Sequence, residues 1–133
     1  MSILEDFLAW EAENEATITL VQDLLSEALS GEPERLIKDL TIIESWGSRI
    51  GELLAEANSY LDRSKMTLKP SRSDENTELD RKCLLDGIVA PVRLVRDRLE
   101  IVHDAIKTRI TLGQSLLKFH TQMREPRVLE RPF

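Results

Sequence analysis

An all-α fold follows from three observations. Only five glycines and five prolines punctuate 133 residues, too few for the many turns of an all-β chain. Apolar residues recur at steps of three and four over most of the length, and residues that start and stop helices fall between the periodic stretches. The expected architecture is an antiparallel helical hairpin followed by one long, Pro-kinked C-terminal helix, assembling as a homo-oligomer. With 41% hydrophobic residues there is apolar mass for one core, so 1–133 reads as a single domain. Its expected parts are an acidic hairpin (1–62), a basic loop (63–77), a long helical region (78–123) and a tail (124–133).

Ser2 and Glu5 have the spacing of a capping box ahead of the stripe Ile3, Phe7, Trp10, Val21, Leu24 and Ala28. Asn14 and Thr17 fall on the same stripe, as a break or as a polar layer that sets register. One helix to about Leu29 is the expectation. Ser30-Gly31-Glu32-Pro33 then stops it and starts the next, because Gly suits a helix end and Pro a first turn. So short a connection implies antiparallel neighbours.

The second helix has the most regular pattern: Leu36, Leu40, Ile43, Gly47, Ile50, Leu54, Ala57 and Leu61 alternate steps of four and three. Gly47 and Gly51 leave room on that face for close approach of another element, with Trp46 beside the gap. From Asp62 to Asn76 the periodicity is lost in a polar, basic, proline-containing stretch that reads as a loop.

Thr77 suits the N-cap of the long helix, and Glu78 and Asp80 suit its first turn. Its core stripe is Leu85, Ile88, Val92, Val95, Leu99, Val102 and Ile106. Gly87 and Pro91 predict a kink or a break into two helices. After Ile106 a four-residue stutter moves the seam to Ile110, Gly113 and Leu117, while Leu112, Leu116, Phe119 and Met123 line an adjacent face. This widening marks Leu99, Val102, Ile106, Ile110, Leu112, Leu116, Leu117, Phe119 and Met123 as the expected oligomer interface. Beyond Met123 the prolines at 126 and 132 are expected to end the helix.

Charge is split along the chain. Residues 1–62 hold 14 Asp/Glu against 3 Lys/Arg and residues 63–133 hold 10 against 15, which together make the net charge of −6. A basic half can bind polyanions inside an acidic protein because the local field decides. Arg63, Lys65, Lys69 and Arg72 surround the central loop and Arg81 and Lys82 open the long helix, forming the candidate nucleic-acid-binding set. Arg93, Arg96, Lys107 and Arg109 continue along it, interleaved with Asp97, Glu100 and Asp104 as in a solvated, ion-paired face. Tyr60 is the one well-placed candidate for base stacking.

No catalytic or metal-binding spacing stands out. His103 and His120 are too far apart to share a site on one straight helix, the first expected at the surface and the second at a packed interface. The single cysteine, Cys83, reads as a buried structural thiol. Glu11 and Glu15 lack a matching carboxylate pair. No enzyme activity and no cofactor are expected, and with neither an export signal nor an apolar run of membrane length the expected location is the cytoplasm.

The segment Asp104-Ala105-Ile106-Lys107-Thr108-Arg109, the helical run after it to Met123, and the Tyr60-Leu61-Asp62-Arg63 stretch before a polar loop resemble the UvsY-type recombination mediators of tailed phages. The resemblance implies a homo-oligomer that binds single-stranded DNA and helps load a RecA-like recombinase onto strands coated by single-strand-binding protein. It implies that Arg63 and Lys65 stand near the basic positions that contact DNA, and that the C-terminal helices assemble the oligomer. Glu56-Ala57-Asn58-Ser59 replaces basic residues of that family, so the expected DNA affinity is either weak or displaced to Lys69 and Arg72. The rival readings are a helical structural or adaptor protein, and an acidic inhibitor that mimics nucleic acid with residues 1–62.

Overall fold

The computed structural model describes residues 2–67 and 78–129, with side chains described to residue 123. Within them the chain forms three helices: α1, Ile3–Ser26; α2, Pro33–Thr67; and α3, Glu78–Leu129. The Ser2 hydroxyl accepts the Glu5 backbone N–H at 3.2 Å, so the predicted cap forms. The helix runs unbroken through Asn14 and ends at Ser26, three residues earlier than expected. Glu27 turns extended and its N–H closes on the Leu24 carbonyl, so the stop is not a left-handed glycine. Pro33 opens α2 as predicted.

Contacting pairs set the directions. Phe7–Tyr60, Trp10–Glu56 and Asn14–Arg49 climb α1 while descending α2, so these two helices are antiparallel. Leu40 meets Gly113, Gly47 meets Ile106 and Gly51 meets His103, so α2 and α3 are antiparallel as well. Arg98 reaches Glu15 and Arg109 reaches Leu25, which makes α1 and α3 parallel. The core is filled by Phe7, Ile18 and Val21 of α1, Ile43, Ile50, Leu53, Ala57 and Leu61 of α2, and Val89, Val92, Val95, Leu99, Val102 and Ile106 of α3.

Several expectations are corrected. In α1, Ile18 is buried where Thr17 was expected, and Asn14 is the polar layer. Its Nδ2 donates to the Trp10 carbonyl at 2.8 Å and its Oδ1 accepts from Arg49, so the amide is satisfied without breaking the helix. In α3, Val89 is buried and Ile88 is exposed, because the stripe steps four residues from Leu85. The basic segment from Arg63 does not begin as a loop: α2 continues to Thr67, with Leu61 and Ser64 still buried. Cys83 is exposed, because Leu85 and Val89 take the inward positions around it.

Helix α3 passes Gly87 and Pro91 as one continuous element. A proline there removes the hydrogen bond to the carbonyl four residues earlier, which is that of Gly87. Both residues are exposed, so the freed carbonyl faces water instead of apolar surface. The helix also continues past Pro126 to Leu129, so the end expected at residue 124 is not observed, and residues 130–133 lie outside the described residues. At 1.5 Å per residue α3 is roughly 78 Å long, far longer than α1 and α2. The contact register puts Ser26 level with about residue 109 of α3 and Pro33 level with about residue 120. The C-terminal part of α3 therefore runs first beside α2 alone and then beside neither helix.

Candidate nucleic-acid interface and open helix faces

The fold sorts the basic residues into two groups. Along the middle of α3 the arginines are engaged within the chain, while Lys107 there is exposed and in no ion pair among the described residues. Arg98 donates to both Glu15 carboxylate oxygens at 2.9 and 2.8 Å and to Gln22 Oε1 at 2.6 Å, tying α3 to α1. Arg109 donates to the Leu25 and Glu27 carbonyls, satisfying backbone acceptors at the end of α1 that the helix leaves unpaired. Arg93 pairs with Asp86 at 3.2 Å and Arg96 with Asp97 at 2.7 Å. Arg98 and Arg109 therefore tie α3 to α1, whereas Arg93 and Arg96 pair with carboxylates of their own helix. No sequence spacing shows the contacts of Arg98 and Arg109, since their partners lie 76 to 84 residues away.

The second group lies at the end of the bundle where α2 finishes and α3 begins. Arg63 is exposed, with its guanidinium 4.6 Å from the Tyr60 ring centroid and its Nε directed at the Ser59 carbonyl. Lys65 is half-buried and Lys82 exposed; Arg81 is half-buried, with its Nε enclosed and without a hydrogen-bond partner among the described residues. Among the described residues Arg63, Lys65 and Lys82 form no ion pair. Lys69 and Arg72 lie outside the described residues.

Tyr60 belongs to an aromatic cluster with Phe7 and Trp10, at centroid distances of 5.8 and 5.5 Å. The Trp10 indole N–H donates to Glu56 at 2.7 Å. Trp10, Glu56, Ser59, Tyr60 and Arg63 line a shallow cavity of about 270 Å³. Glu56, which in sequence is only a departure from a basic pattern, holds the indole that anchors α1 on α2. A second cavity of about 290 Å³ opens where α1 stops, between Leu24, Leu29, Arg35, Ile43 and Arg109.

The expected assembly residues divide by environment. Leu99, Val102 and Ile106 are buried within the chain, where contacts with α1 and α2 occupy them. Ile110, Leu116 and Leu117 are half-buried, and Leu112, Phe119 and Met123 are exposed. Leu94 and Ile101, outside the expected set, are 70% and 69% exposed. Leu94, Ile101, Ala105, Leu112, Phe119 and Met123 repeat at steps of seven and four, so they form a second apolar stripe facing away from the core. The spacing was legible; only packing shows which of the two stripes is left over.

His103 is half-buried with its imidazole over Gly51, and His120 stacks edge-on against Phe119. Among the described residues no group of three or more His, Cys, Asp or Glu side chains is placed to hold a metal ion. Among them, too, no helix is long and apolar enough to cross a membrane. No protein-family model, curated protein or solved structure matches the chain.

Proposed function

We propose that the chain is a non-enzymatic, self-assembling accessory protein that binds single-stranded DNA at the α2–α3 end of its bundle, and that it helps load a RecA-like recombinase onto strands covered by single-strand-binding protein. The observation that carries the DNA reading is the sorting of the cations. Arginines in mid-α3 are engaged within the chain, whereas Arg63, Lys65 and Lys82, where α2 finishes and α3 begins, have no carboxylate partner among the described residues, and Arg63 lies over the Tyr60 ring. Lysine and arginine side chains of this kind neutralise phosphates and release counterions without reading sequence. The mediator role comes from the resemblance of Asp104–Arg109 and Tyr60–Arg63. Assembly is supported by the second apolar stripe of α3 and by the length of that helix beyond its two neighbours.

Fluorescence anisotropy with labelled oligothymidine tests the DNA reading. Binding is expected at about 50 mM salt and falls steeply by about 200 mM. Replacing Arg63, Lys65 and Lys82 by Ala lowers affinity, and the salt slope drops by about one for each phosphate that is no longer neutralised. No binding of the wild-type protein at the lower salt refutes it. The exposed apolar stripe also favours a second reading, a helical adaptor for another protein, in which association survives the triple alanine substitution.

A further inference from the structure

Helix α1 is apolar on two faces. Its inner face carries Phe7, Trp10, Ile18 and Val21. Leu8, Ala12, Ala16 and Leu20 lie on the outer face, with both leucines more than half exposed, at 56% and 51%. An apolar stripe left open on the outer side of a packed helix is a surface that a second element can cover. Glu5, Glu13 and Asp23 stand exposed around this outer stripe, and residues 1–34 contain nine Asp/Glu and no Lys or Arg. The converse holds at the other end of the chain. Residues 105–124 contain four Lys/Arg, of which Arg109 is bound to α1 of its own chain, and no Asp/Glu, and Leu112, Leu116, Phe119 and Met123 form a stripe there that no helix of the same chain covers fully.

We infer that the C-terminal stripe of α3 in one copy packs on the outer face of α1 in another, a head-to-tail contact that rests on the assembly reading above. The shapes fit. Leu8 to Leu20 spans about 18 Å of helix and Leu112 to Met123 about 17 Å. Large side chains on α3 meet a surface whose centre is alanine, which allows the helices to approach closely. The charges fit in this arrangement alone: α3 on α3 brings two acid-free segments together, and α1 on α1 two base-free ones. Because the two faces differ, the contact is heterologous and builds a ring or an open chain of copies.

The test uses two variants of the full chain and light scattering after size exclusion. Ala12→Arg with Ala16→Arg blocks the α1 face, and Leu112→Gln with Phe119→Gln blocks the α3 face. All four sites are exposed, so far-UV circular dichroism is expected to match wild type. Ala12→Gln with Ala16→Gln replaces the arginine pair if that pair unfolds α1. The wild type is expected to assemble, each variant alone to be monomeric, and an equimolar mixture to form a dimer through the one intact pair of faces. An α1 variant that assembles like wild type, or a mixture that stays monomeric, overturns the head-to-tail contact while leaving assembly itself standing. A monomeric wild type overturns both.

Discussion

Adding one methyl group at each of three helical glycines tests the packing of α3 on α2. Gly87 is exposed and a Cβ there meets nothing within 4 Å, so Gly87→Ala gains only the helix propensity of alanine, about 1 kcal/mol. Gly113 is buried, and a Cβ there stands 2.8 Å from Leu40 Cδ1 and 2.9 Å from its Cγ. Leu40 is buried as well and cannot swing into solvent, so overpacking costs about 1–3 kcal/mol. Set against the same propensity gain, Gly113→Ala is expected to be neutral to about 2 kcal/mol destabilising. Gly47→Ala lies between, with its Cβ 3.1 Å from Ile106 Cγ2. Urea unfolding followed by circular dichroism, at one protein concentration because assembly adds to apparent stability, measures all three. A cycle with Leu40→Ala isolates the contact: in that background Gly113→Ala is expected to turn stabilising. If Gly113→Ala stabilises the wild type as much as Gly87→Ala does, Leu40 does not lie on Gly113 and the α2–α3 register is wrong.

Two other expectations concern polar groups. The Ser64 hydroxyl is fully buried and has no hydrogen-bond partner among the described residues, so Ser64→Ala is expected to raise stability by about 1 kcal/mol in the same unfolding assay; a decrease would mean that the hydroxyl is bonded. Arg98 and Glu15 join α3 to α1 with both side chains partly in water, so a double-mutant cycle is expected to give a coupling of only about 0.5–1 kcal/mol. That coupling weakens in high salt, and a value indistinguishable from zero at low salt would remove the bridge as a link between the helices.

Elements whose causes lie within a few residues were legible in the sequence. The Ser2 cap, the Pro33 start and the Leu36–Leu61 stripe are local, since a cap needs a partner three residues away and a stripe needs only periodicity. Sequence and structure part where a local signal is weak or has two outcomes. Loss of periodicity after Asp62 hid a helical turn and a half, because Ser64, a polar residue, occupies the inward position there. Proline at 91 signals trouble inside a helix, but its effect depends on whether the freed carbonyl meets water, which sequence does not state.

Composition and periodicity by themselves determined that this chain is helical, that its acid and base are segregated, and that α3 carries more apolar surface than one seam can use. Tertiary structure alone decided which surface is left over. Leu99, Val102 and Ile106 share their helix with Leu94, Ile101 and Phe119, and nothing in their residue types separates the buried set from the open one. The separation comes from the azimuth at which α1 and α2 settle on α3, fixed by contacts such as Leu40 on Gly113 and Arg98 on Glu15 between residues 73 and 83 positions apart. The same contacts decide which arginines are tied to another helix and which stay exposed. A helix's periodicity shows that it has faces, but the neighbours that cover a face come from distant parts of the chain.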